Sequence, residues 1–364
     1  MPKEKADIKI NAKAIMLIAL VLSAFCFNLV CASSTTKAES SVNSMQTSVT
    51  LQYIGSINYQ IYLGAFLDLV SGGYNTWVTE TGKGLAIYAS EAALAPLEPV
   101  LNNGTYGDTL NYRLQTALPL IQEGLYGAAC ITWMTSFSDS NTDTGSSGTC
   151  FQCTEEVANG TWNSVIQANA IWIKNNFPYP LILRIDQEFN VPGGFGWAGN
   201  STVYVAAYQQ IVNIFREENV SNVEWCWCPN FVNSPGVCFT DYYPGDNYVD
   251  WIGTDLYANT WGYANFDAML NVTDSSNPVS PYDFALAHNK PFMIAEWGLN
   301  ITGDMSDVQS AVWMQGMFDA IATRPNIQMV IAWAVTGMSV LDFPQALQVY
   351  ISNITSSRYS AQYP

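Results

Sequence analysis

The chain has 364 residues, of which 49% are hydrophobic and only 12% are charged, and its formal net charge is −17. This apolar content excludes an intrinsically disordered chain and is sufficient for one large domain or two average ones. The acidic balance argues against nucleic acid as a partner, because phosphate backbones are bound by basic surfaces.

The first 32 residues have the pattern of a secretory signal peptide. Four lysines precede an apolar stretch from Ala14 to Val30, and small residues occupy a plausible cleavage site that ends at Ala32. The stretch is also nearly long enough for an uncleaved membrane anchor, so this alternative stays open. Residues 33–50 are a polar linker. We therefore expect a secreted, extracellular protein, or one that its N-terminal segment holds at the cell surface.

Export would permit glycosylation and disulfide bonds. Seven glycosylation sequons follow the signal: Asn103, Asn159, Asn200, Asn219, Asn271, Asn300 and Asn353. Six cysteines also follow it, which favours up to three disulfides: Cys130, Cys150, Cys153, Cys226, Cys228 and Cys238. Cys150 and Cys153 lie in a Gly/Ser/Thr-rich segment that we predict to be a loop with a structural bridge. Cys226 and Cys228 share one face of a predicted strand, so each would need a partner elsewhere.

Beyond the linker, short β-rich runs alternate with longer helical patterns. Eight strands are predicted: Tyr62–Leu69, Leu85–Ala89, Ala128–Met134, Leu181–Phe189, Val223–Cys228, Tyr248–Tyr257, Pro291–Trp297 and Ile327–Ala334. Helices are predicted over Tyr112–Glu123, Val165–Asn175, Val203–Glu218, Asp307–Ala322 and Pro344–Ile354. Repeated β-α units give a parallel α/β fold, and the count of eight favours a single (β/α)8 TIM barrel over an open sheet. This barrel would be the domain of residues 51–364.

Two predicted strands end in a glutamate. Glu188 ends the fourth strand and Glu296 the seventh, and the active site of a (β/α) barrel lies at the C-terminal ends of its strands. A pair of carboxylates at one mouth is what cleavage of a glycosidic bond requires. The sequence therefore points to a sugar-cleaving enzyme.

Alternation along the strands predicts which side chains accompany the two glutamates. Arg184 and Asp186 share a face with Glu188, and Asp255 shares one with Tyr257. Sugar rings also stack on aromatic side chains, and five tryptophans fall at or just beyond predicted strand ends. They are Trp133, Trp197, Trp227, Trp297 and Trp333. We expect some of them to form a stacking rim.

Several motifs occur in a fixed order between about Tyr62 and Val335. They are Arg184–Glu188, Phe195–Asn200, Val223–Asn230, Tyr242–Asp246, Val249–Tyr257 and Lys290–Gly298. In this combination the chain resembles glycoside hydrolase family 26. The resemblance implies a (β/α)8 barrel that acts on β-1,4-mannans, or in some members on mixed-linkage β-glucans or xylans.

The resemblance also implies roles for single residues. Glu188 matches the acid/base and Glu296 the nucleophile of a retaining mechanism, for which the carboxyl groups stand about 5–5.5 Å apart. Tyr257 matches a tyrosine that orients the nucleophile, and Trp197 an aromatic residue near the cleavage point. The sequence thus predicts a retaining hydrolase of β-linked polysaccharide, most of all an endo-β-1,4-mannanase, that needs no cofactor or metal ion and acts as a monomer.

One departure from the family keeps alternatives open. The family has histidine where this chain has Gln187, and an apolar residue where it has Asp186. Glutamine can hydrogen-bond a sugar hydroxyl but cannot carry a proton. A β-glucanase, a xylanase or a non-catalytic carbohydrate-binding surface protein therefore remain possible. The substrate-binding residues that we predict are Trp197, Tyr257, Gln187, Arg184, Trp133, Trp227, Trp333 and Asp255.

Overall fold

Eight parallel strands close into a barrel, which confirms the (β/α)8 prediction. They are β1 (Ile61–Phe66), β2 (Ile87–Ala93), β3 (Ala128–Met134), β4 (Leu181–Ile185), β5 (Val223–Trp227), β6 (Trp251–Tyr257), β7 (Phe292–Gly298) and β8 (Ile327–Trp333). Each strand pairs with the next in sequence, and β1 pairs with both β2 and β8, which closes the ring. Their carboxyl ends therefore meet at one edge of the barrel.

The structure is a computed structural model. It describes residues 60–67, 73–95, 97, 109–135, 151–191, 195, 197–258, 265–274, 278–301 and 303–364. The predicted signal peptide, the linker, Asn103 and Cys150 lie outside these ranges. The described residues belong to one compact unit, Tyr59–Pro364. Within the described ranges, no helix has the length and apolar character of a membrane span.

Nine α-helices of the described residues accompany the strands. They are α1 (Gly73–Thr81), α2 (Leu110–Gln122), α3 (Phe151–Ala158), α4 (Asn163–Asn176), α5 (Ser201–Glu217), α6 (Phe266–Leu270), α7 (Pro281–Ala287), α8 (Asp307–Ala322) and α9 (Pro344–Ile354). The predicted cap of α5 is present, since Asn200 Oδ1 accepts a hydrogen bond from the Val203 amide at 3.2 Å. The α3 helix contradicts the predicted loop around Cys153.

Alternate residues of each strand divide into two packing layers. Inside the barrel lies a small cluster that we call the inner cluster, with Ala128 and Cys130 of β3 and Cys226 of β5 among its members. The residues between them, such as Ala129 and Ile131, face outward and pack in the large core shared with the helices. This alternation decides which side chains can reach the barrel mouth.

The last residues of the chain lie under the amino ends of the strands. A short strand β9 (Tyr359–Ser360) pairs with the start of β1. Beyond it, the Tyr363 ring packs on Tyr62, with ring centroids 4.8 Å apart, and its hydroxyl donates to Glu224 Oε2 at 3.0 Å. A Cβ atom at residue 127 would lie 2.8 Å from the Tyr363 amide nitrogen, so this close approach requires Gly127.

Candidate active site

The two glutamates of the sequence prediction both lie at the carboxyl edge of the barrel. Glu296 is on β7, whereas Glu188 lies in a turn just after β4. β4 ends at Ile185 rather than at the predicted Phe189, because Asp186 and Glu188 have φ angles of 47° and 53°. Such left-handed backbone cannot continue a strand.

Glu296 is held by hydrogen bonds at both carboxylate oxygens. Arg184 donates to Oε1 from its guanidinium, and the Tyr257 hydroxyl donates to Oε2. Glu296 is only 7% exposed, and these two donors fix the orientation of its carboxyl group. Tyr257 thus contacts the glutamate that the family resemblance expects it to orient, whereas Arg184, expected on the face of Glu188, is bonded to Glu296.

Arg184 is itself fixed deep in the barrel. Its Nε donates to Thr132 Oγ1 at 2.7 Å, and its Nη1 forms an ion pair with Asp255 Oδ1 at 2.8 Å. Arg184 and Asp255 are each 1% exposed. Burial raises the pKa of Asp255 well above its usual range, and the Arg184 charge opposes this. One guanidinium thus joins two carboxylates, Asp255 of β6 and Glu296 of β7, which are register partners in the sheet.

Glu188 has a different environment. Its Oε1 accepts a hydrogen bond from Asn230 Nδ2 at 2.8 Å, and its backbone amide donates to the Cys228 carbonyl at 2.9 Å. Burial, and after it the charge of Glu296, raises the pKa of Glu188 to about 7. A carboxyl group with such a pKa can serve as a proton donor near neutral pH.

Sequence reasoning did not assign a role to Asn230. Asn230 follows β5, where its amide donates to Asn190 Oδ1 at 2.7 Å, and Asn190 Nδ2 returns a bond to the Asn230 carbonyl at 2.9 Å. These reciprocal bonds orient the side chain that contacts Glu188. Its position at a strand end, directly after Pro229, was the available signal.

Gln187 and Trp197 lie beside Glu188 but are both buried. Trp197 is 0% exposed, stacks on Phe195 with centroids 4.7 Å apart, and donates from Nε1 to the Gln187 carbonyl at 2.6 Å. The side-chain oxygen of Gln187 is buried and has no hydrogen-bond partner among the described residues. The structure thus shows Trp197 as a support of the turn rather than as an exposed stacking surface.

The predicted tryptophan rim is wrong for three of its members. Trp133, Trp227 and Trp297 face outward into the core shared with the helices, where each is at most 1% exposed. Trp133 packs on Phe215 of α5, for example, with centroids 5.8 Å apart. These tryptophans cannot stack on substrate, because strand alternation directs them away from the mouth.

Trp333 does face the barrel interior. It is partly exposed at the carboxyl end of β8, contacts the inner cluster, and packs on Phe66 with centroids 4.8 Å apart. Of the tryptophans predicted at strand ends, Trp333 is thus the one on the same face as Glu296.

The cysteines are not paired as predicted. Three of them are free thiols: Cys130, Cys226 and Cys228. Cys153 is disulfide-bonded. Cys226 and Cys228 share a face as predicted, but this face is the barrel interior, where Cys228 Sγ lies 3.7 Å from Arg184 Nη1. Among the described residues, no group of three or more histidine, cysteine or carboxylate side chains could hold a metal ion.

The chain is similar to known polysaccharide-degrading enzymes. The sequence model of glycosyl hydrolase family 26 matches residues 42–326. Endoglucanase H of Acetivibrio thermocellus is 27% identical over 216 residues, which are 50% of this chain and 22% of that protein. β-1,3-Xylanase TXYA of a Vibrio species is 30% identical over 150 residues, which are 39% of this chain and 28% of that protein. The matched regions thus span less than a third of either relative.

Solved structures share the fold. A GH26 β-mannanase from Bacteroides ovatus superposes with a TM-score of 0.62 and 15% sequence identity, over 83% of this chain and 90% of that chain. At this identity the likeness concerns the architecture of the barrel.

Proposed function

The chain belongs to glycosyl hydrolase family 26, and from this membership we propose that it is a secreted, retaining hydrolase of β-linked polysaccharide, with β-1,4-mannan as its main substrate. The observation that carries the proposal is the contrast between the two glutamates. Glu296 is bound by a guanidinium and a hydroxyl, whereas the pKa of Glu188 is raised to about 7. Two carboxyl groups with opposite protonation are the requirement for double displacement.

The reaction follows from this contrast. Glu188 donates its proton to the glycosidic oxygen, and ionised Glu296 attacks the anomeric carbon, so the leaving sugar departs as an alcohol. Glu188, now ionised, then takes a proton from the water that hydrolyses the glycosyl-enzyme. Arg184 and Tyr257 orient the carboxyl group of the nucleophile for this attack.

The test is an assay of the purified protein on mannan, mixed-linkage β-glucan and xylan. We expect release of oligosaccharides from mannan with retained anomeric configuration, observed by proton NMR of the first products, and no release by Glu296→Ala. Glu217→Ala, on the exposed end of α5, is the matched control and keeps full activity. Equal background release by wild type and Glu296→Ala on every substrate would leave only the non-catalytic carbohydrate-binding alternative.

A second candidate substrate has its own support. The two curated relatives are named as an endoglucanase and a β-1,3-xylanase, which favours β-glucan or xylan. Gln187 beside Glu188 is one of the two positions where this chain departs from the family, and its side chain can hydrogen-bond a sugar, so it is the residue to vary if mannan is not cleaved. A higher kcat/KM on β-glucan or xylan than on mannan would select this alternative.

Secretion is part of the proposal and rests on residues 1–32. Expression of the full chain in a secreting host should give extracellular protein that begins just after Ala32. Recovery in the membrane fraction with an intact N-terminus would instead indicate an uncleaved anchor.

A further inference from the structure

A buried aspartate lies two residues before Glu188. Asp186 is 1% exposed, and both of its carboxylate oxygens are hydrogen-bonded to one residue at the end of β3. The Thr135 amide donates to Oδ1 and the Thr135 hydroxyl to Oδ2, each at 2.7 Å. Asp186 thus does not pair with Arg184, although the two have the same strand parity.

Through Thr135, the contact of Asp186 also reaches helix α3. The Thr135 hydroxyl also lies 3.0 Å from the Thr154 hydroxyl of α3, and both threonines are at most 1% exposed. The side chain of Asp186 therefore joins the turn after β4 to the end of β3 and, through it, to α3. Both groups that donate to Asp186 are uncharged, so they fix the orientation of its carboxyl group without neutralising a negative charge on it.

The turn after β4 is also hydrogen-bonded to the end of β5, through the backbone of Glu188. The Glu188 amide donates to the Cys228 carbonyl at the end of β5. The left-handed conformations of Asp186 and Glu188 would otherwise be unfavourable for residues with a Cβ atom, so contacts on both flanks are needed to keep them. Loss of the Asp186 contact would let the turn relax and carry Glu188 with it.

We propose that Asp186 is a positioning residue, which through Thr135 fixes the direction in which the Glu188 carboxyl group enters the active site. The inference rests on the proposed function, in which Glu188 is the proton donor. A general acid works only within hydrogen-bond reach of the leaving oxygen, and a misplacement of about 1 Å costs about 100-fold in rate.

The experiment compares two substrates that differ in their need for a proton. One is an unactivated oligosaccharide, and the other carries a dinitrophenyl leaving group, which departs as an anion without protonation. The value of kcat/KM covers substrate binding and the first chemical step, and it excludes hydrolysis of the glycosyl-enzyme. We expect Asp186→Leu to lower kcat/KM by about 10- to 100-fold on the oligosaccharide and by less than about threefold on the dinitrophenyl glycoside.

Two further variants make the comparison specific. Asp186→Asn keeps an acceptor oxygen for the Thr135 amide and should restore most of the oligosaccharide activity. Thr135→Val removes one of the two donors and should show the same substrate-dependent loss to a smaller degree. Thr81→Val, which removes a buried hydroxyl that donates to the Trp77 carbonyl at 2.8 Å, is the matched control and should affect neither substrate.

Equal loss on both substrates, or no loss on either, would overturn the positioning role. If Asp186→Leu does not fold, the same comparison with Thr135→Val decides between these outcomes. Failure of the proposed function is recognised separately, because the wild-type protein would then cleave neither substrate faster than Glu296→Ala does.

Discussion

The stability of Asp186→Asn, compared with that of the wild type, should increase as the pH rises. Burial raises the pKa of Asp186 from 3.8 to about 7, although the two bonds from Thr135 oppose the shift. The pKa of Asp186 thus differs by about three between the folded and the unfolded chain. At about 1.4 kcal/mol per pKa unit, protonation of Asp186 contributes about 4 kcal/mol to the free energy of unfolding at low pH. The value is an upper limit, because asparagine forms its own hydrogen bonds with Thr135.

The sign follows from proton binding. The folded chain binds the Asp186 proton more tightly than the unfolded chain does, so the stabilising contribution is complete below pH 3.8 and is lost as the pH rises to about 7. Asparagine has no such loss. The free energy of unfolding of Asp186→Asn minus that of the wild type should therefore increase by up to about 3 kcal/mol between pH 4.5 and 8.

Urea unfolding of both proteins at several pH values measures this difference. Glu188 contributes with the same sign but is present in both proteins, so it cancels. Asp319→Asn, on the exposed face of α8, provides the baseline for a surface carboxylate. A difference that stays constant with pH would show that Asp186 is ionised in the folded state over the whole range, and the reasoning from burial would fail.

Three further predictions concern the site and the barrel base. In the wild type, kcat/KM on an unactivated substrate should fall about tenfold per pH unit above pH 7, because Glu188 must be protonated; a flat profile up to pH 9 would contradict this. Tyr257→Phe removes one of the two donors to Glu296 and should lower kcat/KM by about 10- to 150-fold, while an unchanged rate would exclude the orienting role. Tyr363→Ala removes the ring contact with Tyr62 and the hydrogen bond to Glu224, so it should lower the free energy of unfolding by about 1–3 kcal/mol. The value of kcat should stay the same, and a changed kcat would show that Tyr363 does influence the active site.

The barrel could be predicted because its strands have a strong sequence signal. The bounds of β3, α8 and α9 match the prediction, since β3 is a nearly continuous apolar run and both helices begin at clear signals, a capping box in α8 and a proline in the first turn of α9. α8, for instance, begins at a capping box in which Ser306 and Gln309 bond each other's backbone amides.

The missed elements have weaker local signals. Helices α1, α3, α6 and α7 have five to nine residues each, too few for periodicity to distinguish a helix from a loop. Their stability comes from packing, as for Thr154 of α3, which is fully buried against Thr135. Such contacts depend on the fold and are not visible in the chain.

Strand alternation alone does not determine which side of the sheet the tryptophans face. In the sheet, Thr132 is in register with Arg184, and Trp133 with Ile185. Parallel neighbours in register point to the same side, so an inward Arg184 requires an outward Trp133. The sequence contains the alternation but not the register, so it shows that these tryptophans lie near strand ends but not which side of the sheet they face. Parity likewise places Arg184 on the face of Glu188, but Glu188 lies in the turn beyond β4, and Arg184 is bonded to Glu296. The contact of Tyr257 with Glu296 is expected from the family resemblance and not from parity.

The placement of the last residues has a practical consequence. Because Tyr363 sits beneath the amino ends of the strands, next to Gly127 and Glu224, the chain leaves the barrel on the side opposite Glu188 and Glu296. A surface linker attached after Pro364 would present the open mouth of an immobilised barrel to solution. A long polymer could then reach both glutamates without passing the support.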